Sequence, residues 1–159
     1  PCPCGYATDP KRKCKCTPAQ IERYMGRISG PLVDRIDIHI EVPSVPFQDL
    51  ASRMDGTDSA KMRQRVLDAR EKQTQRFGRT KGIFTNSRMN SRQVRQYCHL
   101  DEQCTAMLKH AVYEFGLSAR AHDKVLKIAR TIADIAGSEN IEPVHLQEAI
   151  QYRRLDRKL

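Results

Sequence analysis

The pattern of apolar and polar positions separates a long helical part of the chain from a shorter and more varied N-terminal part. From Ser59 to about residue 155 the apolar residues recur at helical spacing, which predicts a bundle of about five helices. The clearest stripe runs from Cys104 to Phe115, where apolar residues fall at i, i+3, i+4, i+7, i+8 and i+11. Gly116 and Gly137 follow two of the stripes and are typical helix ends.

Cap residues and prolines indicate where the helices begin. Thr17-Pro18 predicts a helix to about Gly26, and Gly30-Pro31 predicts a single turn that ends near Arg35. Further along the chain the predicted helix starts are Ser59, Ser91, Asp101, Ser118 and Pro143. The first of these helices is expected to reach about Phe77, followed by a loop over residues 78–90.

Residues 36–42 have a different period. Ile36, Ile38, Ile40 and Val42 alternate with polar residues, and prolines at positions 43 and 46 close the run. Such alternation of β-branched residues predicts a strand with one apolar face. A single strand cannot satisfy its own backbone hydrogen bonds, so we expect its sheet partners to lie in another part of a longer polypeptide.

Four cysteines form two close pairs at the start of the chain, Cys2-x-Cys4 and Cys14-x-Cys16. Two thiolate pairs across a short turn match the ligand set of a structural Zn²⁺ site, although the spacing differs from the commoner C-x₂-C. Two disulfides, or four thiols that bind nothing, are the alternatives. The other two cysteines, Cys98 and Cys104, lie on apolar helix faces and are expected to be buried thiols.

Length and composition exclude several classes of protein. The 159 residues suffice for one domain or two small ones, and no apolar run is long enough for a transmembrane helix. The first residues have neither the charged nor the apolar region of a signal peptide. We therefore expect a cytoplasmic protein. Because the chain has no initiating Met and begins amid the cysteines, we also expect it to be cut from something longer.

The positive charge is concentrated in one stretch. Residues 61–95 hold 11 Lys and Arg against only Asp68 and Glu71, whereas the two flanking parts are each balanced. Such a concentration favours a surface that faces a polyanion, with nucleic acid as the first candidate. A solvated helix, or a face neutralised by an acidic subunit, is the alternative. The candidate nucleic-acid contacts are Arg63, Arg70, Arg76, Arg79, Lys81 and Arg88.

Two arginines are notable for their positions. Arg120 lies two residues after the Ser118 cap, where free backbone N–H groups and a cation together favour a phosphate. The alternative is that Arg120 pairs with Asp123 or with another carboxylate. Arg35 ends the short turn directly before the predicted strand, a junction from which it can reach a neighbouring subunit.

Three runs of sequence resemble one family. They are PCPCGY at residues 1–6, GRISGPLVDRIDIHIEVP at 26–43 and LSARAHDK at 117–124. Together they resemble the second half of the AAA+ module in magnesium-chelatase-related ATPases of the ComM/YifB-like kind. The resemblance implies a mainly α fold: a helical AAA+ lid of about five helices, a short α/β remnant of the ATPase core and an N-terminal cysteine-rich loop. The implied domains are a zinc-binding-like hairpin (1–17), the end of the core (18–58) and the lid (59–159).

The resemblance also implies roles for individual residues. Arg35 matches the arginine finger that reaches the γ-phosphate of ATP on the adjacent subunit of a homo-oligomeric ring. Arg120, with Ser118, matches sensor 2, which touches the nucleotide phosphates, and Arg27 is a lesser candidate at that interface. The cysteine pairs fall just after the sensor-1 position, where we expect zinc to brace a loop rather than to read DNA.

The chain lacks part of the machinery that the family uses. It contains no G-x-x-x-x-G-K-[ST] and no apolar run that ends in a Mg²⁺-binding acidic pair, so ATP and Mg²⁺ are expected only in a longer parent. By itself the chain is not expected to hydrolyse ATP. Three functions stay open for the parent: a DNA-translocating or branch-migrating motor, a magnesium-chelatase ATPase subunit, and a zinc-stabilised nucleic-acid-binding module without ATPase activity.

Overall fold

The computed structural model describes residues 2–7, 9, 11–40, 42, 45, 47, 51, 56–78 and 82–153. Within these ranges the protein is mainly helical, as predicted. The described α-helices are α1 (Pro18–Met25), α2 (Gly30–Val33), α3 (Ser59–Phe77), α4 (Ser91–Tyr97), α5 (Glu102–Phe115), α6 (Ala119–Ala136) and α7 (Pro143–Gln151), with a 3₁₀ turn at Asn86–Arg88. None of these helices has the length and apolar character that a membrane span requires.

Local capping explains most of the helix boundaries. Thr17 and Gln20 form the capping box that opens α1, and the Ser118 hydroxyl accepts from the backbone N–H of Ala121 at 3.1 Å at the start of α6. Helices α3 and α4 are capped one residue earlier than predicted, by Asp58 and Asn90. The physical reason is that Asp and Asn side chains accept the free N–H groups of a first turn as well as serine does.

Helix α6 lies at the centre of the bundle and packs against α3, α4, α7 and the 3₁₀ turn. Its apolar face and those of its neighbours form one buried cluster, which includes Phe77, Val94, Leu108, Val125, Ala129 and Leu146. The ring of Phe77 meets that of Tyr97 edge to face at a centroid distance of 5.4 Å. Cys98 and Cys104 belong to this cluster, which confirms the prediction that both are buried thiols.

The first half of α3 extends beyond the bundle. Met62, Val66 and Leu67 are each about half exposed, and the first buried residue of the helix is Ala69. The bundle therefore begins about ten residues later than the apolar pattern predicts. The helical spacing of apolar residues predicted the helix, but not where its packed part begins.

The apolar pattern also predicted only part of the buried face of α6. Ala136, at the apolar end of this helix, is exposed, whereas two charged residues of the helix, Arg130 and Asp134, are buried. A buried charge is tolerated when an opposite charge and hydrogen bonds compensate it, and these two side chains contact each other. Hydrophobicity alone therefore assigns such residues to the wrong side of the helix.

The predicted strand over residues 36–42 is not formed by the described residues 36–40 and 42. The predicted inward face is exposed: Ile38 is 49% and Ile40 is 68% accessible, whereas His39 is buried. The backbone bonds to the end of the bundle instead of to another strand, since the N–H of His39 donates to the carbonyl of Tyr152 at 2.8 Å. Arg153 also donates to the carbonyl of Ile36. The segment is thus an extended arm held by the C-terminal end of α7.

Candidate metal centre and phosphate-contact site

The turn between the two cysteine pairs brings all four sulfurs together. The Sγ atoms of Cys2, Cys4, Cys14 and Cys16 all lie within 4.8 Å of one another. The Sγ atoms of Cys2 and Cys4 are 3.4 Å apart, and each lies 3.6 Å from the Sγ of Cys14. A disulfide requires about 2.05 Å, so these distances do not correspond to the disulfide alternative. Four sulfurs at about 2.3 Å from one Zn²⁺ stand roughly 3.8 Å apart, which is close to the observed spacing.

The surroundings of the cluster favour a thiolate at Cys4, whereas at Cys14 and Cys16 burial and the neighbouring sulfurs outweigh the backbone hydrogen bonds and raise the pKa. Backbone N–H groups of Tyr6 and Lys15 point at the sulfur of Cys4 and lower its pKa to about 6. The N–H of Cys16 donates to the sulfur of Cys14 at 3.4 Å. Metal-bound thiolates commonly accept such bonds, because the backbone dipoles stabilise their charge. The donor set of four sulfurs therefore fits a closed tetrahedral metal site.

A second site forms where the segment after α2 meets the first turn of α6. The carboxylate of Asp34 accepts from the Ser118 hydroxyl at 2.7 Å and from Arg120 Nη1 at 3.2 Å. The hydrogen bond from Ser118, followed by the charges of Arg120 and Arg153, holds the pKa of Asp34 below its ordinary value. The anion expected at this helix start is thus supplied, in the protein itself, by a carboxylate 84 residues away in sequence.

Lys124, one turn further along α6, holds the same segment. Its ammonium group donates to the carbonyl of Arg35 at 2.6 Å and pairs with the carboxylate of Asp37 at 2.6 Å. The buried Arg153 reaches the segment from the end of α7, with Nη2 at 3.9 Å from Asp34. We call this set of contacts the Asp34 clamp: Asp34 and Asp37 on the segment, and Ser118, Arg120, Lys124 and Arg153 on the bundle.

The clamp places the two candidate arginines on connected parts of the structure. The guanidinium of Arg35 donates to the carbonyl of Pro31 at 3.3 Å and is exposed at the end of α2. Arg120 is 58% accessible, and its contact with Asp34 uses one of its terminal nitrogens. Arg27 lies apart, exposed, with its guanidinium 5.8 Å from the centre of the Tyr24 ring.

The candidate nucleic-acid contacts differ in how accessible they are. Arg63, Arg70 and Arg88 are exposed, on α3 and on the 3₁₀ turn. Arg76 instead points toward α6, where its Nη1 donates to Asp134 Oδ2 at 2.8 Å. Arg79 and Lys81 lie outside the described residues.

Asp134 is the centre of a buried network that the sequence did not indicate. Its carboxylate also accepts from Asn86 at 2.8 Å and from the Nε of Arg130 at 3.2 Å. Burial alone raises the pKa of Asp134, but the hydrogen bonds from Arg76 and Asn86 outweigh it and hold the pKa below its ordinary value. The remaining nitrogens of Arg130 donate to the carbonyls of Ser138 and Glu139 at 2.8 and 2.7 Å. We call this set the Asp134 network.

Sequence reasoning missed most of the clamp. Asp34 stands beside Arg35, and Lys124 lies within the run that resembles sensor 2, but neither has a sequence neighbour that identifies its partner. An i, i+4 spacing does relate Arg130 to Asp134, and this spacing is the one local signal that predicts a pair. It does not predict that the pair is buried.

Comparison with known proteins assigns the chain to a family. Residues 56–153 match the family described as magnesium chelatase, subunit ChlI C-terminal, and residues 1–50 match magnesium chelatase, subunit ChlI. The chain is 42% identical to uncharacterized protein YifB of Escherichia coli over 91% of its own length and 28% of that protein. It is 39% identical to competence protein ComM of Haemophilus influenzae over 100% of its own length and 30% of that protein.

A more distant relative is an uncharacterized protein of Mycobacterium tuberculosis, 33% identical over 97% of this chain and 30% of that protein. The chain thus spans less than a third of the length of the curated relatives that it matches. The matched regions include the cysteine cluster, the clamp and the whole bundle. On these findings the chain belongs to the magnesium-chelatase-related AAA+ family, among its ComM- and YifB-like members.

Proposed function

We propose that the chain is the C-terminal part of a ring-forming AAA+ ATPase and supplies two arginines to ATP hydrolysis. Arg35 acts as the finger that reaches ATP on the adjacent subunit. Arg120, with Ser118, acts as sensor 2, and Arg27 is a lesser contact at the same interface. The Asp34 clamp is the observation that carries the proposal, because it joins the segment of Arg35 to the helix start of Arg120.

The proposed chemistry is electrostatic. Phosphoryl transfer is accelerated chiefly by positive charge placed on the oxygens that gain negative charge in the transition state. Arg35 is exposed just after α2 and forms no ion pair among the described residues, so its charge is available to a neighbouring subunit. Arg120 keeps two guanidinium nitrogens for a phosphate while one contacts Asp34.

The test uses the ATPase ring that carries this chain. Arg35→Ala should lower the rate of ATP hydrolysis by about 10³–10⁵, as the loss of a trans arginine does in other phosphoryl-transfer enzymes. Mixing Arg35→Ala subunits with subunits that cannot bind ATP should restore activity, because each kind then supplies what the other lacks. Hydrolysis is measured by release of inorganic phosphate.

Arg23→Ala is the matched control, because Arg23 is an exposed arginine near the end of α1. It should leave the rate unchanged. Full activity of the Arg35→Ala ring would contradict the finger assignment. A mixed ring that stays inactive would contradict action in trans.

We further propose that the parent ATPase is a DNA motor and that the exposed cations of α3 and the 3₁₀ turn contact DNA phosphates. Arg63, Arg70 and Arg88 support this interface by their exposure. Arg76 is the weakest member, because its guanidinium is paired with Asp134. Arg79 and Lys81 keep the assignment that the sequence alone gave them.

A magnesium-chelatase ATPase is the second candidate, and the description of the matching family favours it. Duplex and forked DNA separate the two functions. A motor should hydrolyse ATP faster with DNA, and Arg63→Gln with Arg70→Gln should reduce that stimulation while leaving the basal rate unchanged. Hydrolysis that is indifferent to DNA, but changes with a chelatase partner, would favour the second candidate.

We propose zinc as the occupant of the cysteine cluster, on the strength of its four-sulfur donor set and spacing. Elemental analysis of the purified chain should give one zinc per chain. Cys14→Ser should lose it, whereas Cys98→Ala, which changes a buried thiol outside the cluster, should keep it. A metal-free chain, or stoichiometric iron, would contradict the assignment.

A further inference from the structure

A compact group of cations lies in the turn between the two cysteine pairs and inside the second pair. Lys11, Arg12, Lys13 and Lys15 lie within five residues, and all four are exposed. We call these residues the basic loop. It is separate in sequence from the 61–95 stretch, so the charge of that stretch does not account for it.

The backbone of the basic loop is held at several points. The sulfur cluster joins its two ends, and the N–H of Gly5 donates to the carbonyl of Cys2 at 3.0 Å. Within the loop, Asp9 Oδ1 accepts from the backbone N–H groups of Lys11 at 2.7 Å and Arg12 at 3.2 Å. The carboxylate of Asp9, beside the basic loop, therefore binds backbone N–H groups and is not paired with a lysine of the loop.

Three lysines of the bundle are engaged by other groups of the protein, unlike the lysines of the loop. Lys72, Lys124 and Lys127 each contact a backbone carbonyl or a carboxylate. Within the described part of the chain, no ion pair or hydrogen bond engages the ammonium groups of Lys11, Lys13 and Lys15. Arg12 stacks 5.1 Å from the centre of the Tyr6 ring and donates to its hydroxyl at 2.7 Å, which holds its planar guanidinium beside an aromatic face.

Unpaired cations on a held backbone suit a partner with regularly spaced negative charge. Protein interfaces are depleted in lysine, whereas nucleic-acid surfaces are contacted mainly through phosphates by lysine and arginine. A metal bound by four thiolates would bring two formal negative charges to the base of the loop. Such a metal would also hold the backbone that carries the lysines, which lowers the entropy cost of binding.

We propose that the basic loop is a second contact for the phosphate backbone of nucleic acid, organised by the cysteine cluster and separate from the α3 surface. The inference shares its partner with the proposed function but does not depend on ATP hydrolysis. It also assigns the loop a contact with phosphates and not the recognition of bases.

The experiment is a salt titration of binding between the metal-loaded chain and a fluorescent DNA duplex. Lys11→Gln with Lys13→Gln should reduce the slope of log affinity against log salt by about 0.9 for each phosphate that the loop no longer neutralises. Lys15 is left intact because it lies directly between two cysteines of the cluster. The control is Arg23→Gln with Lys109→Gln, which removes the same charge from exposed sites on α1 and α5.

The control should keep the wild-type slope within error, and Cys14→Ser should weaken binding without changing the helical circular dichroism of the bundle. Equal slopes for the loop variant and the control would overturn the proposal, as would a chain that binds no DNA. Arg63→Gln with Arg70→Gln tests the α3 surface separately. If the loop variant binds DNA like the wild type while the α3 variant binds more weakly, this inference is wrong and the proposed function is unaffected.

Discussion

Two carboxylates, Asp134 and Asp34, each organise a set of cations, but they do so in opposite surroundings. Asp134 is 1% exposed and accepts from Arg76, Arg130 and Asn86 inside the bundle. The side chain of Asp34 is 25% exposed, and its partner Arg120 is 58% exposed. A contact between a carboxylate and a guanidinium therefore contributes differently to stability at the two sites, because water screens the charges at Asp34 and not those at Asp134.

In the Asp134 network every partner depends on the others. Burial lowers the pKa of Arg130, although its guanidinium stays charged because the ordinary pKa of arginine lies above 12. Removing the carboxylate would leave two guanidinium groups without their counter-charge in or near the core. The network therefore determines whether the bundle is stable.

In the Asp34 clamp the partner Arg120 is accessible and can exchange Asp34 for another group. Water or a phosphate can replace Asp34 at Arg120 at little cost, since exposed ion pairs contribute only about 0–1 kcal/mol. The clamp therefore suits a movable connection between the segment of Arg35 and the bundle. Four predictions test this difference, and they run from the largest expected effect to the smallest.

Asp134→Asn should destabilise the chain by about 3–5 kcal/mol, because it breaks a buried charge network and leaves Arg76 and Arg130 uncompensated. Urea unfolding followed by circular dichroism measures the change. Asp34→Asn is the matched variant and should cost less than about 1 kcal/mol. Equal destabilisation by the two variants would show that the clamp is as structural as the network.

Acid should act chiefly through Asp134. Its pKa is lowered in the folded state, so the stability it contributes is complete above the ordinary carboxyl pKa of about 3.9. That contribution disappears as the pH falls through the lowered folded pKa. Unfolding free energies from pH 6 down to pH 2 should therefore fall less in Asp134→Asn than in wild type, and Asp34→Asn should keep most of the wild-type slope.

Asp34→Asn should loosen the extended arm while leaving the bundle intact. The amide of His39, which donates to the carbonyl of Tyr152, should exchange its hydrogen several times faster than in wild type. Amides in the middle of α6 should keep their protection. An unchanged His39 amide would mean that Lys124 and Arg153 hold the arm without Asp34.

The smallest effect is expected for the pair of Lys124 and Asp37, whose side chains are 15% and 61% exposed. A double-mutant cycle with Lys124→Gln and Asp37→Asn should give a coupling of about 0.2–1 kcal/mol, reduced in about 1 M salt. Lys124→Gln alone should cost more than Asp37→Asn, because it also removes the bond to the carbonyl of Arg35. A coupling above about 2 kcal/mol would place this pair with the buried network.

The four-cysteine site was predictable because its ligands come in pairs whose short turn limits how far apart they can lie. The sulfurs meet within 4.8 Å, as the spacing indicated. The sequence could predict only part of the surroundings of Arg120. Its position in the first turn of a helix follows from neighbouring residues, whereas its partner Asp34 is distant in the sequence. The predicted strand over 36–42 is not formed by its described residues, because alternation describes a residue's neighbours in sequence, whereas a strand requires a second strand to pair with, and its partners were expected in another part of a longer polypeptide.

The sequence by itself determined the helices, most of their boundaries, the buried thiols and the cysteine cluster, because each depends on residues close together in the chain. Only the tertiary structure decided which carboxylates neutralise which cations. Asp34 and Ser118 are 84 residues apart, and Arg76 and Asp134 are 58 apart. Burial determined the different roles of the two carboxylates. Asp134 is part of the core, whereas Arg120, the partner of Asp34, stays within reach of water or a phosphate.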